Sequence, residues 1–198
     1  MAEKVAESSF GKLPNPLLNA LRDLVAWLDS EEIPLTVIGG VAVALIAQPR
    51  VTRDIDVVVW LNTDSLEALV PTGEAYGLTP RMTDAIEFTR TRRVLLLEHS
   101  PTGVAVDISC GALPFESEMM ARARSLKIGT LEFKVAAPED LIVMKAVAHR
   151  PKDIADIEAI LNIQANLDFE SIRFWVSQFA EALEMPEMME TLEKLLNR

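Results

Sequence analysis

Two aspartates one residue apart open an otherwise β-branched and apolar run, Asp54-Ile55-Asp56-Val57-Val58-Val59-Trp60-Leu61. Such a run reads as a strand. Side chains two positions apart on a strand share a face. Asp54 and Asp56 therefore project side by side, while Ile55 and Val57 face a core. Adjacent like charges repel, so a fold that keeps them there must offset the repulsion, and a divalent cation is the usual means. A carboxylate-rich, all-oxygen site of this kind suits Mg2+ or Mn2+. Taken alone, an Asp-x-Asp pair is also what a solvated surface strand carries.

A third carboxylate, Asp107, lies inside Val104-Ala105-Val106-Asp107-Ile108, a second apolar strand. A charge within such a run marks either an exposed edge or a site. If this strand neighbours 54–61 in the sheet, the three carboxylates converge as metal-assisted phosphoryl chemistry requires. Upstream, Gly39-Gly40 separates a short strand, Leu35 to Ile38, from a small-residue helix, Val41 to Ala47. A glycine pair there lets backbone N–H groups approach a phosphate closely, and the helix N-terminus favours negative charge.

The remaining pattern gives a mixed α/β part followed by a helical one, with the change near residue 136. Residues 1–14 read as a loose leader and 16–31 as an amphipathic helix. Pro49 ends the helix after Gly39-Gly40. Thr63 or Asp64 caps a helix running to about Tyr76, with Gly77 as its C-cap glycine. The stretch 84–109 reads as antiparallel strands, with Val94–His99 and Val104–Ser109 joined by Ser100-Pro101-Thr102-Gly103. A helix over 115–125 precedes a hairpin, Leu126–Ile128 and Leu131–Val135. Pro138 and Pro151 suit the first turns of helices. Two further helices, about 168–183 and 187–196, carry a Met-rich apolar stripe that reads as core or partner contact.

The net charge of −11 argues against strong nonspecific nucleic-acid binding. Arg50, Arg53, Arg81, Arg90, Arg92 and Arg93 nevertheless cluster in the first half and could form a local basic patch. No apolar run reaches the roughly 20 residues of a membrane span, and the first residues lack a signal-peptide pattern. The single cysteine, Cys110, forbids an intrachain disulfide, reads as a buried hydrophobe, and suggests a cytoplasmic protein. His99 and His149 show no metal-ligand spacing and read as structural.

The run Val37-Ile38-Gly39-Gly40-Val41-Ala42, then Pro49-Arg50-Val51-Thr52-Arg53-Asp54-Ile55-Asp56-Val57-Val58-Val59, with the later Asp107, resembles the signature of the minimal nucleotidyltransferase superfamily of polymerase-β-like type. It is similar in particular to the AbiEii-like group, which includes toxins of type IV toxin–antitoxin systems. Pro138-Glu139-Asp140-Leu141-Ile142-Val143-Met144-Lys145 and Arg150-Pro151-Lys152-Asp153-Ile154-Ala155-Asp156-Ile157 look like the later motifs of those proteins. The resemblance covers about residues 34–163. One departure is Ile46-Ala47-Gln48, where many relatives carry histidine or glycine, and it bears on the acceptor.

The resemblance implies an α+β polymerase-β-like fold: a small mixed sheet flanked by helices, with a C-terminal helical part. It divides the chain into a core with an N-terminal helix, 1–135, and a helical region, 136–198, that completes the nucleotide pocket. It implies Mg2+-dependent (or Mn2+-dependent) transfer of an NMP from an NTP to an acceptor hydroxyl, with Asp54, Asp56 and Asp107 as catalytic metal ligands. Gly39, Gly40, Arg53, Lys145, Lys152, Asp153 and Asp156 are the implied nucleotide contacts. Lys145 would meet a triphosphate oxygen as a point charge. Asp153 and Asp156 share a helix face; they either line the pocket or pair with Arg150 and Lys152. The acceptor would be tRNA or another RNA, a protein, or a small molecule such as an aminoglycoside, and a toxin would have a cognate antitoxin. Two other readings stand beside these: a nucleotide-binding protein that keeps the fold without catalysis, and a homodimer formed through the Met-rich helices.

Overall fold

Leu17, Leu21, Leu24 and Leu28 recur at helical spacing, and all four are buried on one face of α1 (Asn15–Ser30). The computed structural model that shows this describes residues 13–47 and 51–197. Residues 1–12 of the expected leader, together with Gln48, Pro49 and Arg50, lie outside the described residues.

The architecture is α+β. Seven strands form one mixed sheet: β1 (Leu35–Ile38), β2 (Asp54–Val59), β3 (Leu78–Pro80), β4 (Val94–His99), β5 (Val104–Cys110), β6 (Arg124–Ile128) and β7 (Leu131–Val135). Their order across the sheet is β3-β4-β5-β2-β1-β7-β6. The pairs β2–β5 and β1–β7 are parallel and the rest antiparallel. At the β4–β5 turn the His99 carbonyl accepts from the Thr102 and Gly103 amides at 3.0 and 2.8 Å, with Gly103 in the left-handed region at φ +67°.

Alternation sets which face of the sheet is dry. Ile55 and Val57 on β2, Val106 and Ile108 on β5, and Leu95 and Leu97 on β4 are register partners and all buried. His99 continues that face. Its Nε2 lies 2.9 Å from Asp23 Oδ2 on α1, and its Nδ1 lies 2.7 Å from Thr102 Oγ1. The bond to Asp23 places α1 over the apolar face and gives His99 a structural partner. The opposite face carries the aspartates.

Nine helices lie among the described residues. After β1 comes α2 (Gly39–Ile46), whose Val41 to Leu45 are all buried. The helix expected up to Tyr76 is a 3-10 turn (Thr63–Ser65), α3 (Leu66–Thr72) and another 3-10 turn (Gly73–Tyr76). Asn62 caps this segment, its side chain accepting from the Asp64 amide. Part of the expected strand region is instead α4 (Ala85–Arg92). Ala85 and Thr89, four apart, are its buried residues, and the Thr89 hydroxyl donates to the Ala85 carbonyl at 2.7 Å. The short strand β3 was not foreseen.

The chain then forms α5 (Pro114–Arg122), and after the β6–β7 hairpin α6 (Pro138–Ala148), α7 (Pro151–Ile163), α8 (Phe169–Ala182) and α9 (Glu187–Leu196). Phe115 of α5 meets Trp175 and Phe179 of α8 edge-on, with ring centroids 5.3 and 5.5 Å apart. Met188, Leu192 and Leu195 of α9 are buried, so much of the expected stripe is core. No helix among the described residues is long and apolar enough to cross a membrane.

Trp27 joins α1 to α3. It is fully buried, its Nε1 donates to Thr72 Oγ1 at 2.8 Å, and a Cβ at Gly73 would come within 3.1 Å of its ring. Trp27→Ala is expected to lower the unfolding free energy by about 3–5 kcal/mol, read from urea denaturation of the two proteins.

Candidate active site

One rung of register partners crosses the sheet: Ile38 on β1, Asp56 on β2, Asp107 on β5 and Leu96 on β4. The Arg81 amide, just past β3, donates to the Leu96 carbonyl at 3.0 Å and extends the rung. Directly opposed residues in a sheet point to the same face. Asp56, Asp107 and Arg81 therefore share a side, with Asp54 two residues upstream of Asp56 on that side.

The turn from β1 into α2 presses against Asp56. Gly39 has φ +63°, and a Cβ there would fall 2.0 Å from Asp56 Oδ2. Only glycine accepts both that backbone conformation and that approach. The Gly40 N–H donates to the Asp56 carboxylate. Thr52 Oγ1 donates to Asp54 Oδ1 at 2.9 Å, and the Arg81 guanidinium forms an ion pair with Asp107 Oδ1.

Burial, then the charges of Asp54 and Asp107, push the Asp56 carboxyl above the usual aspartate range, against the pull of Lys145 and the Gly40 amide. Burial also raises Asp107, which Arg81 opposes and Asp54 reinforces. The strand expected to bring Asp107 beside Asp56 does so. Full convergence is not reached: among the described residues, no three His, Cys, Asp or Glu side chains stand close enough to hold one ion together. Asp107 is instead engaged by the Arg81 guanidinium from the β3 side. The donor chemistry still fits a hard cation, because Mg2+ commonly takes only one or two carboxylates and completes its shell with substrate phosphates and water.

A cleft of about 560 Å³ opens beside the rung. Gly39, Gly40, Arg53, Asp54, Asp56, Asp107, Lys145, Lys152 and Asp153 all line it. Asp156 does not; it lies behind Lys145. The lysine itself is shared between two carboxylates. It is buried, with Nζ 3.0 Å from Asp153 Oδ1 and 2.8 Å from Asp156 Oδ2. Asp153 is fully buried and accepts the Arg150 amide at 3.3 Å and Arg150 Nε at 2.5 Å, which caps α7. Burial works to raise its carboxyl, but Arg150 and Lys145 outweigh this and hold it below the usual range. Arg53 and Lys152 are exposed at the cleft.

Three residues outside the sequence-derived set belong to this arrangement. Thr52 had a local signal, a hydroxyl two residues before Asp54. Arg150 had one too, preceding the proline of a helix start. Arg81 had none, because only strand register brings it to Asp107. Cys110 is buried, and burial raises its thiol, so it is inert here.

A family model described as a nucleotidyltransferase of unknown function, DUF6036, matches residues 17–193. The chain belongs to that family. No curated protein matches it in sequence. Solved structures share its fold at low identity. An antigenic nucleotidyltransferase-like protein from Paracoccidioides brasiliensis is 16% identical with a TM-score of 0.53, over 91% of this chain and 94% of that one. The antibiotic-resistance factor ANT(2'')-Ia in solution is 16% identical with a TM-score of 0.60, over 88% and 97%. A crystal structure of ANT(2'')-Ia with adenylyl-2''-tobramycin is 17% identical with a TM-score of 0.55, over 82% and 96%. The nucleotidyltransferase fold thus spans nearly the whole described chain.

Two substitutions probe the electrostatics. Lys145→Ala leaves Asp153 and Asp156 without their shared cation and is expected to cost about 3–5 kcal/mol in urea unfolding at neutral pH. Asp56→Asn is expected to raise the melting temperature of the metal-free protein at pH 7. Folding raises the Asp56 pKa, so the folded state is penalised as pH rises from the usual aspartate range towards the folded value, and the penalty persists above it. The gain should fade as pH drops through that range, where folded and unfolded states both hold the proton.

Proposed function

We propose that this chain moves a nucleoside monophosphate from an NTP to an acceptor hydroxyl, with Mg2+ or Mn2+ held at Asp54, Asp56 and Asp107. The observation that carries this reading is the parallel pairing of β2 with β5, which sets Asp107 directly beside Asp56 at a cleft of about 560 Å³. That volume lies within the range of small-molecule sites, roughly 300–1,000 Å³.

Bound there, the ion would offset triphosphate charge and favour ionisation of the acceptor hydroxyl. Arg53 and Lys152 at the cleft, with Lys145 behind them, provide positive potential for the phosphates. Lys145 has three N–H donors and two carboxylate partners, which leaves one donor for a phosphate oxygen. Asp107, set beside Asp56, takes the acceptor proton on a carboxylate oxygen as the hydroxyl attacks. The acceptor oxygen bonds to the α-phosphorus, the bond to the bridging oxygen breaks, and pyrophosphate leaves.

The charge distribution favours a small hydroxylated acceptor over a long nucleic acid. The chain carries a net charge of −11, and Arg81, Arg90 and Arg93 are engaged by Asp107, by Glu67 and by the Cys110 and Gly111 carbonyls. The adenylyl-2''-tobramycin held by ANT(2'')-Ia is a product of this reaction class. An AbiEii-like toxin would instead modify an RNA end or a protein hydroxyl and would be countered by an antitoxin.

The test uses each NTP labelled at the α- or γ-phosphate, with Mg2+ or EDTA, and acceptors of three classes: aminoglycosides, tRNA and lysate protein. Transfer of the α-label alone, only with metal, is expected. Asp107→Ala should slow it by about 10²–10⁴-fold. Transfer of the γ-label, transfer that persists in EDTA, or the absence of metal-dependent NTP binding overturns the reading.

A further inference from the structure

We propose that Arg81 is a placeholder cation: its guanidinium occupies Asp107 until a divalent ion displaces it. The inference rests on the metal-binding reading above.

The three carboxylates are held in different ways. Asp54 accepts a neutral hydroxyl from Thr52, and Asp56 accepts the Gly40 amide. Asp107 alone is held by a direct side-chain cation among the contacts of the described residues. The Arg81–Asp107 pair is about one-third exposed on each side, at 34% and 32%. Ion pairs this open to water contribute little net stability and exchange readily. The contrasting pair on the other side of the site is dry: Lys145 with Asp153 is 7% and 0% exposed.

The backbone allows such an exchange. The Arg81 amide is fixed to the Leu96 carbonyl, so the guanidinium can leave Asp107 while its own main chain stays on the rung. The side chain reaches Asp107 across Leu96, which is only half-buried and imposes no closed cover. Arg81 thus satisfies two needs at different times. Without metal it offsets the repulsion among Asp54, Asp56 and Asp107. With metal it yields the Asp107 oxygen, and the guanidinium is released on the β3 side of the acids.

A competitor for one ligand lowers apparent metal affinity by the strength of the competing contact. The first measurement is Mn2+ binding, by calorimetry or by loss of the free-ion EPR signal, to the wild type, Arg81→Gln and Arg81→Lys. Arg81→Gln is expected to bind about two- to five-fold more tightly at unchanged stoichiometry. Arg81→Lys should stay close to the wild type. In the Asp107→Asn background, Arg81→Gln should give no gain.

The second measurement reads the wild-type protein itself. The 15N resonance of the Arg81 side chain, assigned by comparison with Arg81→Lys, should shift on titration with Mg2+. Equal or weaker Mn2+ binding by Arg81→Gln, or an Arg81 resonance that Mg2+ does not move, overturns the inference alone. Absence of metal binding in the wild type and every variant overturns the metal site and this inference together.

Discussion

Repulsion among three carboxylates on one face of two adjacent strands shapes everything around them. The register that pairs Asp56 with Asp107 is imposed by the other face, where a one-residue slip would turn Ile55, Val57, Val106 and Ile108 out of the core. The apolar side therefore forces the acidic side together. The neighbouring structure answers that load piece by piece: a hydroxyl on Asp54, a backbone amide on Asp56, a guanidinium on Asp107. Gly39 is required by the same crowding, since any Cβ there would strike the Asp56 carboxylate.

Behind this layer, Lys145 serves the fold and the site at once. It ties α6 to α7 through Asp153 and Asp156, while its charge offsets part of the upward push on the Asp56 carboxyl. Removing one member of a buried ion network strands the others in a medium that cannot solvate them. The group is therefore fixed in place, and it fixes in turn the cleft wall that carries Arg150 and Lys152. The capping of α7 by Asp153 adds to that rigidity, because the same carboxylate serves the helix start and the lysine.

What the sequence made legible was whatever repeats with a period. Alternation exposed β2, β4 and β5, and with them the side-by-side placement of Asp54 and Asp56. Helical spacing exposed α1, α8 and α9. The region 84–92 misled because Ile86 and Phe88, two apart, imitate a strand, while the pair that commits it to a helix, Ala85 and Thr89, is small and partly polar. Asp153 and Asp156 do share a helix face, but that face turns to Lys145, which depends on how α7 docks against α6. Arg81 was legible only as one of several arginines, since its meeting with Asp107 is made by β3 and β4, and β3 is three residues long.

The cations around the acids are divided by solvent, and that division assigns the two sides of the site different tasks. On the α6–α7 side Lys145, Asp153 and Asp156 are dry and locked, with Arg150 and Lys152 exposed in front of them, which under the proposed chemistry suits a triphosphate whose geometry is the same in every turnover. On the β3–β4 side the Arg81 cation is held loosely, over a sheet face where Leu96, Ala105 and Ser109 are half-exposed. Under the proposed chemistry the acceptor must approach Asp107, and this open face is the ground beside it. A site built this way can retain its nucleotide end while its acceptor end changes. Under the proposed chemistry, the residues that border β4 and β5, rather than the aspartates themselves, would set which acceptor is taken.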